Sequence, residues 1–157
     1  MTLAAADAAA LVLADVPARL AAAAQVLQAF LREATAAAKL KVSVGGKVDR
    51  LALDREQHVV HGLAWYATYA EVARQLAAWS ERLTSEGKFG ETEALLTQIV
   101  MAEYGAQFAA GIPMNQGETI RPEDFGVPAA VLAALRAAPE LALWREAAGQ
   151  PVKTRLA

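Results

Sequence analysis

At 157 residues the chain has the length of one domain, long enough to enclose a hydrophobic core. Hydrophobic residues make up 55% of it and alanine supplies many of them, so contacts between elements are expected to be close and built from small side chains. A formal net charge of −2 leaves no broad basic face for nucleic acid, and the lack of cysteine excludes disulfides and thiolate metal sites.

The N-terminal stretch MTLAAADAAALVLADVP is apolar but has no basic leader and carries Asp7 and Asp15. It reads as neither a secretion signal nor a membrane span, so a soluble, cytoplasmic all-α protein with no membrane partner is expected. Thr2–Ala14 is expected to be a short helix. Asp15 is placed to cap the next helix, with Pro17 tolerated in its first turn because the missing N–H would be unpaired there anyway. That helix should run to about Lys41, with Leu20, Ala23, Ala24, Leu27, Phe30, Leu31 and Ala34 forming one buried stripe at three- and four-residue steps. Gly45 and Gly46 then break the pattern in a flexible turn. No phosphate-loop motif accompanies them.

A third helix, capped by Asp49 or Asp54, is expected over about 54–86. His58, Trp65, Val72 and Trp79 recur every seven residues along one side of it, and Val59, Leu63, Tyr66 and Ala70 form an adjoining stripe. Gly87 should stop this helix in a left-handed conformation. A fourth helix follows over about 91–110, with Leu95, Leu96, Ile99, Val100 and Ala106 as its inner face and Gly111 and Pro113 as its end. So short a connection favours an antiparallel bundle around two long central helices. MNQGETIRPEDFG reads as a loop. Two short helices follow, one opened by Pro128 and one running from Pro139 to Ala148 with Trp144, and GQPVKTRLA reads as a tail. A single helical domain over 1–157 is expected, with its core at about 17–120 and residues 121–157 at the periphery.

Candidate chemistry is sparse. His58 and His61 are three residues apart on one helix and close enough to share a ligand, but metal-site spacing on facing helices is absent, so helix-terminal or packing roles compete with binding. Glu103, flanked by Ile99, Val100 and Ala106, is either a partly buried carboxylate suited to proton transfer or one half of an ion pair with Arg74 or another cation. Gln98 and Gln107 are placed to close buried hydrogen bonds. His58, His61, Glu103 and Gln107 thus make a candidate polar site between helices. Met114, Asn115, Gln116, Glu118 and Arg121 make a candidate docking loop, shaped by Gly111, Pro113 and Gly117. No nucleophile–base arrangement can be assembled.

Taken together, REQHVVHGLAWYATYAEVARQ, GKFGETEALLTQIVMAEYGAQFAAGIPMNQGE and IRPEDFG resemble the helical N-terminal extension of the (2S)-methylsuccinyl-CoA dehydrogenases, flavoenzymes of the acyl-CoA dehydrogenase superfamily. The resemblance covers about residues 48–126. The order of parts is also similar to the C-terminal helical domain of acyl-CoA dehydrogenases: Gln57–His58 at the head of a long helix, a turn at 87–90, a second long helix and a Gly-containing loop at 111–117. QGET resembles the loop beside the catalytic glutamate in part of that superfamily, but the surrounding residues differ, and no catalytic or flavin-binding residue carries over.

The resemblance implies a non-catalytic accessory or assembly domain of an FAD-dependent oxidoreductase. Such a domain would bind no cofactor alone and would have dehydrogenase domains as partners. Two other readings stand beside it. One is a small-molecule binder or enzyme using the region of His58, His61 and Glu103. The other is a self-associating homodimer, formed through alanine-rich faces between Thr2 and Ala38.

Overall fold

The computed structural model describes residues 11–156, and most of the helix expected at Thr2–Ala14 lies outside them. Helix α1 spans Val16–Lys41 and turns Val16, Leu20, Ala23, Ala24, Leu27, Phe30, Ala34 and Ala38 inward, largely the expected stripe. Of its alanines, Ala23, Ala24, Ala34 and Ala38 are buried within this chain, while Ala18, Ala21, Ala29 and Ala36 are exposed. Asp15 does precede the helix, with Pro17 in the first turn. Its backbone is left-handed at φ 53°, however, and its side chain makes no capping hydrogen bond. A capping carboxylate normally needs an extended backbone to aim at the first free amides.

The glycine turn at 45–46 is a hairpin, not a loose connection. Strands β1 (Ser43–Val44) and β2 (Lys47–Val48) pair antiparallel. Gly45 and Gly46 both have positive φ, 59° and 79°, which a two-residue turn matched to strand twist requires. Asp49 then caps helix α2 (Arg50–Arg55) by accepting the Ala52 N–H at 2.8 Å. Glu56 interrupts, and helix α3 runs from Gln57 to Ser85, so the single helix expected from about 54 begins later, behind a separate short one.

Gly87 ends α3 as expected, at φ 67°. Lys88 N–H donates to the Leu83 carbonyl at 2.8 Å and Gly87 N–H to that of Thr84 at 3.0 Å, the paired bonds of a Schellman cap. Helix α4 (Glu91–Ala110) starts after Gly90, whose N–H is held by the Glu93 carboxylate at 2.9 Å. Its inner face departs from expectation. Ala94, Leu95, Thr97, Gln98, Met101, Gly105 and Phe108 point inward, while Leu96 is exposed, Ile99 and Val100 are half-buried and Ala106 is exposed. An apolar tally misses this stripe because two of its members are polar. Thr97 donates to the Ala94 carbonyl, and Gln98 bonds the Leu13 N–H and the Leu11 and Ala147 carbonyls, so both are buried at little cost.

MNQGETIRPEDFG is also structured. Strands β3 (Ile112–Asn115) and β4 (Glu118–Ile120) form a second hairpin, followed by a 3₁₀ turn at Pro122–Phe125. Helices α5 (Ala129–Ala137), α6 (Pro139–Ala147) and α7 (Gln150–Leu156) complete the chain. These last residues are not peripheral. Phe125, Leu135, Trp144 and Val152 are buried, and the expected tail is a helix tied down by Lys153–Glu103 and Arg155–Glu91 ion pairs.

The result is an all-α bundle carrying two small hairpins. α3 packs most extensively on α1, and α4 on α6. At the centre Phe30, Tyr66, Phe108 and Phe125, from four different elements, meet with ring centroids 4.5–6.2 Å apart. The buried Tyr66 hydroxyl donates to the Phe108 carbonyl at 3.0 Å, which satisfies the one polar atom such a ring brings inside. No helix among the described residues is long and apolar enough to cross a membrane.

Candidate functional site

The second hairpin is held against α3 by a glycine. A Cβ on Gly62 would fall 2.3 Å from Cγ1 of Ile120, so only glycine at this turn of the helix lets the fully buried Ile120 seat on it. That seating carries Glu118, two residues earlier on β4, to the first turns of α3. There its Oε1 meets Nδ1 of His58 at 2.8 Å. On the other side of the ring, Nε2 of His58 lies 3.6 Å from Oδ2 of Asp124, in the turn after β4. The other Glu118 oxygen accepts from Asn115 Nδ2 at 2.9 Å, and Asn115 Oδ1 accepts the Gly117 N–H. Asp124 also accepts the Arg121 N–H at 2.7 Å.

The electrostatics follow from these contacts. The hydrogen bond to Glu118, helped by Asp124 and opposed by partial burial, raises the His58 pKa above its ordinary value. The bond from His58 lowers that of Glu118. The shifts favour the imidazolium form of His58 and the ionised form of Glu118, so the two groups attract one another. The group acts as a clamp that pins the hairpin to the helix. Both partners remain substantially open to water, at 41% and 38% side-chain exposure, so the clamp is a positioning device more than a source of stability.

His61 is exposed and its Nε2 accepts from Trp65 Nε1 at 3.1 Å. The two histidines line a depression of ≈ 420 Å³ together with Leu53, Gln57, Val60 and Glu118. The other two members of the expected polar site are elsewhere. Glu103 is exposed and paired with Lys153 of α7 at 2.6 Å, not with Arg74, which is held by Glu71 on its own helix. Gln107 accepts the Tyr69 hydroxyl at 2.6 Å, and Tyr69 stacks on Tyr104. Burial raises the Tyr69 pKa, so this phenol stays protonated.

The expected docking loop and the expected histidine site are therefore one structure, joined by the His58–Glu118 contact. Within the loop Met114 is buried, Asn115 and Glu118 bond one another, and Gln116 and Arg121 are exposed. Sequence reasoning missed Asp124 as the second carboxylate and Gly62 as the seat. The glycine in an otherwise apolar half of α3 was the available signal, since such a residue marks a close approach. Among the described residues no group of three or more His, Cys, Asp or Glu side chains is arranged to hold a metal ion. On another side of α3, Ala67, Thr68, Val72, Leu76 and Trp79 line a shallow apolar depression of ≈ 610 Å³, crossed by Glu71 and Gln75. The seven-residue series of Trp65, Val72 and Trp79 is thus half-buried, at the edge of the core.

No family model matches the chain. It is 48% identical over 101 residues to a (2S)-methylsuccinyl-CoA dehydrogenase from Cereibacter sphaeroides, a match that takes in 64% of this chain. The chain spans about a fifth of that relative's length, the aligned part being 18% of it. The resemblance read from the sequence thereby stands: the chain is related to a segment of (2S)-methylsuccinyl-CoA dehydrogenase, itself an acyl-CoA dehydrogenase family member.

Proposed function

We propose that this chain is a non-catalytic accessory bundle that packs against, and helps assemble, the dehydrogenase domains of an FAD-dependent enzyme resembling (2S)-methylsuccinyl-CoA dehydrogenase. The observation that carries the reading is the 48% identity to a segment of such an enzyme. The enzyme implied removes hydrogen across the α,β-carbons of a branched acyl-CoA, with hydride passing to FAD. The polar cluster of this chain supports an accessory role, because its carboxylates and imidazole are engaged in holding a hairpin. The chain alone is expected to bind no flavin.

Two measurements test this. Calorimetry and a visible spectrum with added FAD should show no stoichiometric flavin on the purified chain; bound flavin would sink the non-catalytic reading. The chain should also form a complex with the C. sphaeroides dehydrogenase polypeptide produced without the matching stretch, with that polypeptide's flavin spectrum confirming its fold. A second reading is favoured by the depression between His58 and His61: a small polar ligand bound there. His61→Ala would then abolish ligand binding while leaving the His58–Glu118 clamp in place.

A further inference from the structure

Large apolar side chains scattered singly over a surface are ordinary, but a cluster marks contact with something. Among the described residues five such side chains are strongly exposed, and four lie between positions 40 and 51: Leu40 at 80%, Val44 at 65%, Val48 at 60% and Leu51 at 68%. They sit on the β1–β2 hairpin and on the helix turns that flank it. Antiparallel pairing puts Val44 beside Lys47 on one face of the ribbon and Val48 beside Ser43 on the other, so each face presents a valine to water. A two-stranded hairpin this short has no core of its own and is marginal in isolation.

The charge around the cluster is opposite to that of the molecule. Residues 39–55 contain Lys39, Lys41, Lys47, Arg50 and Arg55 against Asp49 and Asp54, while the rest of the chain holds ten basic and fifteen acidic residues. Asp49 is engaged in capping Ala52, and Lys41 donates to the Asp124 carbonyl. Lys39, Lys47 and Arg50 form no ion pair among the described residues. The apolar depression on α3 is another unpartnered surface, but Glu71 and Gln75 cross it and its charge selects no partner.

We infer that the β1–β2 tip, with Leu40 and Leu51 at its base, docks into an apolar protein surface edged by carboxylates. This rests on the accessory-domain reading above, which makes that surface part of the dehydrogenase polypeptide. The tip's valines and leucines would lose water on docking, and Lys39, Lys47 and Arg50 would meet the carboxylate rim and set its orientation.

The test is titration of the 157-residue chain into the flavin-loaded C. sphaeroides polypeptide lacking the matching stretch, at low and high salt. Val44→Ser/Val48→Ser and, separately, Lys47→Glu/Arg50→Glu are compared with the parent, with circular dichroism confirming that each is folded. The charge reversal leaves the hairpin's apolar residues and its glycine turn untouched. Both variants are expected to bind at least about tenfold more weakly, and salt to weaken the parent more than the charge-reversed variant. If the parent binds and both variants bind equally well, the tip is not the docking surface, although the accessory reading survives. If the parent itself does not bind, that reading falls and this inference falls with it. Binding of the parent to vesicles of mixed phosphatidylcholine and phosphatidylglycerol, with none to the polypeptide, would overturn the protein partner in favour of an anionic lipid surface.

Discussion

Two hairpins among the described residues have opposite fates. The second, β3–β4, lies on α3: Ile112 and Ile120 are fully buried, Met114 nearly so, and its tip is clamped through Glu118 to His58. The first, β1–β2, has a glycine pair where backbone demands it, yet both its valines face water and nothing among the described residues covers them. The difference is a seat. α3 provides Gly62, where a side chain would collide with Ile120, and no comparable glycine lies beneath the first hairpin. Turn chemistry makes a hairpin; a matching surface decides whether it contributes to the core.

That contrast can be broken from the docked side first. Ile120→Ala removes a side chain with no exposure and leaves a cavity on α3, and should destabilise the protein by about 2–5 kcal/mol in denaturant melts. Gly62→Ala forces the hairpin off its seat and is expected to cost about 1–3 kcal/mol, with earlier hydrogen exchange in β3–β4 than in α1. An unchanged melting curve for Gly62→Ala would mean that the hairpin shifts freely.

A smaller effect should come from the clamp. Because His58 has its pKa raised above 6.5, its contribution to stability is complete below that value and fades as pH rises through the raised pKa. Glu118, lowered from 4.5, contributes above that value and loses it as pH falls through the lowered pKa. The stability gap between the parent and His58→Gln should therefore be widest between these two ordinary values and close on the alkaline side. A gap that grows with alkaline pH would refute the clamp. The smallest effect belongs to the projecting hairpin, where Val48→Ser should change stability by less than about 0.5 kcal/mol. A large loss there would show that the tip is covered in solution.

Local signals along the chain were readable where the determinant is local. The start of α1 and the ends of α3 and α4 follow from Pro17, Gly87 and Gly111, because a missing amide or a positive-φ glycine acts within a few residues of itself. The kinship with the dehydrogenase segment was equally legible, being carried by residue order. Side-chain partners were not. Glu103 looked buried because its neighbours on the helix are apolar, but α7 placed Lys153 beside it at the surface.

The amino-acid sequence by itself determined the all-α class, the ends of the long helices and the enzyme to which part of this chain is related. The tertiary structure alone decided which face of α4 turns inward, that Thr97 and Gln98 are buried with their hydrogen bonds made, and that the histidines and the hairpin form one cluster. Helix propensity and capping depend on nearest neighbours, whereas burial and ion pairing depend on what other elements bring from tens of residues away.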